Sequence, residues 1–261
     1  MNLIAAGDAV YFGAVFDPCQ LARHVELRDQ VLSHRLDAIL DPKTQQSALP
    51  GGHTTTVGAL PWGITDRAHQ ISDFQDTAGR RLIAVLGDFV LEQGFTQVIA
   101  PTHVLAGADD PWLAVDAEST RRLRNHLDRG SGASVPIIYS LAIPYAVFRD
   151  RKQRRSLIAT LKTVPAAALW LKVDGFGATS TPTAARTYIQ SAAEFHELGI
   201  PVVADHVGGV IGLAIMAFGA GGIAHGVTLG ERFDASSWRK SRTEKALGRT
   251  AESIFLQLMP C

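Results

Sequence analysis

Short apolar runs alternate along the chain with longer stretches in which apolar residues recur at helical spacing. The apolar runs predict seven strands, at residues 10–16, 38–40, 97–100, 136–141, 168–173, 202–204 and 222–225. Helical patterns separate most of these runs. This alternation is typical of a parallel α/β sheet.

Two helices between the predicted strands carry clear start signals. Asp17 precedes Pro18 and Thr181 precedes Pro182, so each pair places a side-chain oxygen at an N-cap and a proline at the first helical position. Gly199 then ends the second of these helices just before a strand. Both patterns predict helices packed on one side against the sheet.

The predicted strands are apolar on both faces. Residues 135–139, 168–171 and 200–204 read as continuous apolar runs, which indicates parallel strands covered on both sides and excludes a β-sandwich. Units of roughly thirty residues that repeat without a change in composition favour one (β/α)8 barrel over residues 1–261. An open doubly wound sheet is the alternative.

Three segments complete this prediction. The eighth strand is expected either at residues 2–6 or inside residues 43–65. Residues 42–65 are expected to form a long loop, either a functional lid or a structural Ω-loop. The C-terminal part, residues 236–258, is expected to be helical.

Composition limits the class of protein. The 261 residues carry 25 Lys and Arg against 25 Asp and Glu, and 46% are hydrophobic. These values exclude a disordered chain and a protein that coats nucleic acid by bulk charge. Two cysteines cannot build a disulfide framework or a cysteine zinc site. With no signal-peptide pattern and no apolar run long enough for a bilayer, we expect a cytoplasmic protein away from membranes.

Polar residues gather where the predicted strands end, which is where both candidate folds bind ligands. The candidate binding residues at these positions are Asp41, Lys43, Gln45, His103, Tyr139, Gly208, Gly209, His225, Gly226 and Glu231.

The clearest catalytic pattern is the strand that contains Lys172 and Asp174. Strand alternation places both side chains on one face. If that face is the barrel interior, desolvation prepares Lys172 as a nucleophile or general base, and Asp174 can exchange its proton. The pair can equally be a structural ion pair that closes the barrel.

The next predicted strand ends in Asp205 and His206, for which we expect acid/base or orienting roles. Gly208 and Gly209 then open an apolar helix, and backbone N–H groups at a helix start favour an anion. The same glycines also suit tight turns. His103, His206, His225, Asp174 and Asp205 leave a metal-dependent hydrolase or lyase as an alternative, but their spacing matches no metal motif, so no metal or cofactor is expected.

Residues 166–233 resemble the second half of phosphate-binding (β/α)8 barrels, through the motifs LWLKVDG, IPVVADHVGG and GGIAHG. This resemblance implies phosphate at Gly208, Gly209, Gly226 and Gly230, and an inward lysine similar to that of Schiff-base aldolases at Lys172. The segment GIAHGVTLGE is also similar to the Gly-Glu segment of tRNA-guanine transglycosylases, whose cysteine-rich zinc site has no counterpart here.

The sequence therefore predicts a barrel enzyme that acts on an anionic, phosphorylated small molecule by lysine-assisted lyase, aldolase or isomerase chemistry. A non-catalytic barrel is the alternative from another class. It would bind nucleic acid or protein through two basic clusters, at residues 149–155 and 232–249. A homo-oligomer is compatible with either function.

Overall fold

The computed structural model describes residues 12–51, 54–65, 67–226 and 231–239, together with the strand backbone at residues 255–258. The strands are β1 (Gly13–Phe16), β2 (Asp37–Leu40), β3 (Gln97–Ile99), β4 (Ile137–Pro144), β5 (Ala168–Asp174), β6 (Val202–Asp205), β7 (Gly222–Gly226) and β8 (Phe255–Leu258). The α-helices are α1 (Val25–Ser33), α2 (Thr44–Ser47), α3 (Thr54–Gly58), α4 (Asp76–Glu92), α5 (Pro111–Arg129), α6 (Tyr145–Arg149), α7 (Arg151–Leu161), α8 (Pro182–Glu194), α9 (Gly209–Ala217) and α10 (Ser236–Arg239).

The eight strands form a closed barrel in chain order. Strands β1 to β7 pair in parallel, and β8 closes the barrel antiparallel to both β7 and β1. The predicted α/β barrel is thus confirmed, and the open doubly wound sheet is wrong because β8 joins the two edges.

Two predicted helix starts occur where expected. The side chain of Asp17 accepts a hydrogen bond from the N–H of Cys19, and the side chain of Thr181 accepts one from the N–H of Ala184. Asp17 starts a 3-10 helix, Pro18–Arg23, whereas Thr181 starts α8.

The eighth strand differs from both predictions. Residues 2–6 lie outside the described residues, and residues 43–65 contain the short helices α2 and α3 instead of a strand or a continuous loop. Within the segment predicted to be helical, α10 covers only 236–239 and residues 255–258 form β8. A four-residue segment with three apolar residues fits a buried helix as well as a strand, and here the edges of β1 and β7 decide its conformation.

Side chains alternate between two layers of the barrel. Inward-facing Val15, Ile39, Ile138, Trp170 and Val203 belong to one buried cluster that fills the interior. The residues between them along each strand belong to the larger cluster beneath the helices. We call the end at which the parallel strands have their carboxyl ends the mouth. Among the described residues, no helix is long and apolar enough to cross a membrane.

Candidate active site

A polar layer lies above the apolar interior, on the mouth side. Continuing the inward alternation of β4, β5 and β6 past Ile138, Trp170 and Val203 leads to Ser140, Lys172 and Asp205, all buried. Each of these three strands places a polar side chain two residues beyond an inward apolar one. The layer is therefore a direct product of strand register.

Lys172 is the cation of this layer, and its side chain is only 6% exposed. Its Nζ lies 3.5 Å from Oδ2 of Asp205 and donates to Oε1 of Gln45 at 3.2 Å. The predicted inward orientation of Lys172 matches these contacts. The partner carboxylate comes from the adjacent strand β6 instead of from β5 itself.

Gln45 lies against Lys172, although we expected it to bind substrate. Its Nε2 donates to Oγ1 of Thr102 at 3.0 Å and to the carbonyl oxygen of Ser140 at 3.1 Å, while its Oε1 accepts from Lys172. Both the nitrogen and the oxygen of the Gln45 side-chain amide are therefore hydrogen-bonded to other protein atoms. The geometry gives Gln45 a positioning role for Lys172.

Asp205 connects the buried layer to the solvent side. Its Oδ1 lies 3.0 Å from Nδ1 of His206 and also accepts from the backbone N–H of that residue at 2.8 Å. Burial opposes ionisation of Asp205, but His206 and Lys172 outweigh it and lower the pKa of the carboxyl group. His206 adopts a left-handed conformation, with φ of 60°, which a non-glycine residue seldom does outside functional or strained sites.

A second ion-pair group lies at the ends of β1 and β2. Nζ of Lys43 is 3.4 Å from Oδ2 of Asp41 and 3.5 Å from Oδ2 of Asp17. Burial opposes ionisation of Asp41, yet Lys43 and Lys172 lower its pKa to about 2. Burial also opposes the charge of Lys43, but Asp41 and Asp17 raise its pKa. Lys43 has a φ of 59°, a second left-handed residue at the mouth.

Asp174 does not pair with Lys172 in the described part of the chain. Its Oδ1 accepts a hydrogen bond from the backbone N–H of Ala235 at 2.9 Å. The proton exchange between the two side chains stays a prediction; in the described structure Asp174 fastens residues 231–239, which we call the mouth segment.

The mouth segment packs across the barrel end. Phe233 and Ala235 form a buried cluster with Leu49 and Ala142, and the ring of Phe233 lies 5.4 Å from the ring of His206. Ala142 is paired in register with Lys172. An apolar cluster of the mouth segment therefore lies next to the polar layer that contains Lys172.

The phosphate site predicted at Gly208 and Gly209 lies next to the carboxylate of Glu231. Gly208 caps α9, and a Cβ atom placed there would lie 2.6 Å from Oε1 of Glu231. Gly209 has a φ of 59°, a left-handed conformation that glycine adopts without strain, so the backbone accounts for this glycine. His225 contacts the carbonyl oxygen of Gly226 through Nδ1 at 2.9 Å. The anion site predicted at these glycines thus has no support in the geometry, because Glu231 would repel the anion; Gly230 lies outside the described residues.

Two predicted binding residues face away from the mouth. Tyr139 belongs to the cluster between strands and helices, since its neighbours Ile138 and Ser140 face inward. His103 is buried against α5, where its Nδ1 lies 2.6 Å from Oδ1 of Asp116 and its ring stacks on Trp112 at 3.7 Å. Neither side chain is placed to meet a ligand at the mouth.

His103 belongs to a buried row of side chains in contact through their polar atoms, which the sequence did not indicate. Nδ1 of His69 lies 3.2 Å from Nε2 of His103, which continues to Asp116. Burial and the neighbouring His103 lower the pKa of His69 to about 3, and burial raises the pKa of Asp116. Thr102 and Ser140 also lie at predicted strand ends but were not among the candidate binding residues, and inward alternation along β4 could have singled out Ser140.

The structure gives little support to the two alternative kinds of site, a metal centre and a basic surface that binds nucleic acid or protein. No group of three His, Cys, Asp or Glu among the described residues is arranged to hold a metal ion. In the first basic cluster, Arg154 is buried and its Nη2 pairs with Glu194 at 2.8 Å, so it stabilises the fold. Most of the second cluster, from residue 240 onward, lies outside the described residues.

Comparisons with known proteins do not assign this chain to a family. No protein-family model and no curated protein matches the chain. Solved structures give remote likenesses, including a GH5-4 broad specificity endoglucanase from an uncultured bacterium, with a TM-score of 0.47, 11% identity and coverage of 74% of this chain and 58% of that one. An intracellular xylanase from Thermoanaerobacterium saccharolyticum is similar with a TM-score of 0.44 and 10% identity, and the match covers 76% of this chain and 63% of that one.

The xylanase 10B modules of Clostridium thermocellum, complexed with xylohexaose, give a TM-score of 0.43 and 8% identity over 70% of this chain and 40% of that one. This chain thus spans less than two thirds of the length of these three structures. The values are too low to assign an activity, and the fold rests on the strand pairing of the chain itself.

Proposed function

We propose that this chain is a barrel enzyme of the isomerase or lyase class that moves a proton next to a substrate carbonyl group. His206 is the acid/base group, Asp205 orients it, and Lys172 supplies a buried positive charge. One observation carries the proposal: the carboxylate of Asp205 contacts the buried amine of Lys172 through one oxygen and the ring of His206 through the other.

This arrangement suits proton transfer. An imidazole oriented by a carboxylate is an effective general base. It breaks the C–H bond beside the carbonyl and takes the proton, while the electron pair moves onto the carbonyl oxygen. A cation in a low-dielectric site stabilises the resulting enolate. Return of the proton at a neighbouring carbon gives isomerisation, and loss of a leaving group gives elimination.

Two further features support a functional mouth. His206 and Lys43 both have left-handed backbone conformations, and strain of this kind concentrates at functional sites. The apolar cluster that contains Phe233 and Ala235 would exclude water around a bound substrate. Movement of the mouth segment is therefore part of the proposed cycle.

The charges favour a neutral substrate over the phosphorylated one expected from the sequence. Both lysines described at the mouth are already paired: Lys43 contacts Asp41 and Asp17, and Lys172 contacts Asp205. An anionic substrate would have to compete with these carboxylates for the two lysines. A small neutral carbonyl compound needs no unpaired cation.

Glycoside hydrolysis is less well supported. That reaction uses one carboxylic acid that keeps its proton near neutral pH together with one ionised carboxylate. Asp41 and Asp205 both have a lowered pKa, so both are ionised under those conditions. The raised pKa of Asp116 occurs at a buried position where His103 packs against α5, outside the barrel interior.

The test is exchange of substrate C–H protons with deuterated water, followed by NMR over a panel of neutral and phosphorylated carbonyl compounds. The native chain should exchange a neutral compound, and His206→Gln should lower the rate at least about 100-fold. His225→Gln is the matched histidine control and should keep the native rate. Equal rates in the native chain and His206→Gln, or no exchange with the whole panel, would refute the proposal.

Borohydride treatment in the presence of the exchanging compound separates the two roles of Lys172. If Lys172 acts as a cation, no adduct forms. If it acts as the Schiff-base nucleophile expected from the sequence, its amine adds to the carbonyl carbon, water leaves, and reduction of the imine leaves a stable adduct. An adduct at Lys172 would replace the enolate-stabilising role with covalent catalysis.

A further inference from the structure

Helix α9 is apolar around its whole circumference. Its sequence, GVIGLAIMA, contains no charged or polar side chain. Val210 is 83% exposed, Leu213 is 62% exposed, and Phe218 at the end of the helix is 70% exposed. A helix that is apolar on all sides is normally buried, so this exposed ridge requires a partner.

A groove lies beside this ridge, on the outer surface between α8 and α9. It has a volume of about 640 Å³. Its lining is Ser180, Pro182, Ala185, Arg186, Ile189, Gln190, Val210, Ile211, Ala214 and Phe218. The residues from each helix follow helical spacing, so the groove runs along both helices. Arg186 is the charged side chain of this lining.

The direction of β8 explains why, among the described residues, no helix takes the place beside α9 that the helix after the seventh strand takes in a regular barrel. When an eighth strand is parallel, the connection after β7 must run back down the outside of the barrel, next to the preceding helix. Here β8 is antiparallel and its first residue, Phe255, pairs with Gly226 at the mouth. The preceding α10 is also at the mouth, because Ala235 beside it contacts Asp174.

The sequence between α10 and β8 is too highly charged to match an apolar groove. It comprises residues 240–254, and six of these 15 residues are charged: Lys240, Arg242, Glu244, Lys245, Arg249 and Glu252. Burying such a segment against α9 would desolvate several charges, and in the groove lining only Arg186 could pair with one of them. An uncharged helix suits the groove better.

We propose that α9 and the α8–α9 groove form the interface of a homodimer, with the ridge of one copy seated in the groove of the other. A two-fold interface needs both complementary features on one face of the same chain, and the ridge and groove meet this condition. A second α9 also brings no charge into the groove. This inference does not depend on the chemistry at the mouth.

The test is sedimentation equilibrium of the full chain. We expect a dimer, and Val210→Glu and Phe218→Glu should each raise its dissociation constant at least about 100-fold, because each buries a carboxylate in an apolar interface. Val25→Glu is the matched control: Val25 is 39% exposed on α1, and its substitution should leave the dimer unchanged. Circular dichroism should show that all variants keep the native fold.

Three outcomes would overturn the proposal. The first is a native chain that is monomeric up to about 100 µM, where even weak interfaces assemble. The second is a dimer that Val210→Glu and Phe218→Glu do not weaken. The third is a monomer in which deletion of residues 1–11 increases deuterium exchange in α9, because the chain's own N-terminal segment would then cover the groove.

Discussion

Nζ of Lys172 lies 3.5 Å from Oδ2 of Asp205, so a cation on β5 faces a carboxylate on the neighbouring strand β6. Both side chains are almost fully buried. Each therefore compensates a charge that would otherwise be unpaired in a low-dielectric interior. The following predictions concern this pair and the groups connected to it.

Replacing Lys172 by methionine should lower the free energy of unfolding by about 3 kcal/mol, because Asp205 then loses its buried cation. Chemical denaturation measures this loss. The double variant Lys172→Met/Asp205→Asn should recover at least half of it, since the unpaired charge is removed as well. A single variant as stable as the native chain would show that water already solvates Asp205.

Asp41 should make stability sensitive to acid. Its folded pKa, about 2, lies below the ordinary value of 3.8, so its ion pair stabilises the fold above about pH 4 and this contribution is lost as the pH falls toward 2. The native chain should exceed Asp41→Asn by about 2 kcal/mol near neutral pH, and the two should converge near pH 2. A difference independent of pH would contradict the ion-pair assignment.

His69 should destabilise the fold at moderately acidic pH. Its folded pKa, about 3, lies below the ordinary value of 6.5, so below about pH 6.5 the unfolded chain takes up a proton that the folded chain does not. Stability therefore falls as the pH decreases from 6.5 toward 3. In His69→Gln this slope should be smaller, as measured by urea unfolding at a series of pH values. An identical slope would mean that His69 is protonated in the fold.

Asp174 should hold the mouth segment in place. Asp174→Ala removes the acceptor for the N–H of Ala235, so deuterium exchange within residues 231–239 should become at least about 5-fold faster. Asp174→Asn keeps an acceptor oxygen and is the control, with near-native exchange. Equal acceleration in both variants would show that charge, and not the hydrogen bond, holds this segment.

Two glycines should respond differently to alanine. At Gly208 the added methyl group meets only the exposed side chain of Glu231, which can move, so we expect a loss below about 1 kcal/mol. At Gly177 it would lie 2.2 Å from the backbone oxygen of Glu231 and should cost at least about 2 kcal/mol. Thermal unfolding distinguishes these outcomes. A large loss at Gly208 would mean that Glu231 is fixed in place.

The sequence by itself predicted the parallel strands, favoured a barrel over an open sheet, and placed Lys172 on one face of its strand. These features depend on local patterns, namely continuous apolar runs, N-cap signals and strand alternation, which each segment carries independently of its neighbours. For the same reason the sequence identified the strand end at Asp205 and His206. Local signals could not show which of these side chains meet.

The tertiary structure alone decided the partners. Asp205 and Gln45 reach Lys172 from other elements of the barrel, whereas Asp174, two residues away, turns to Ala235. The direction of β8 was likewise set by the open edges of β1 and β7, because a segment of four residues, three of them apolar, carries no signal for its orientation. Contacts across the barrel depend on closure and register, which single segments do not encode.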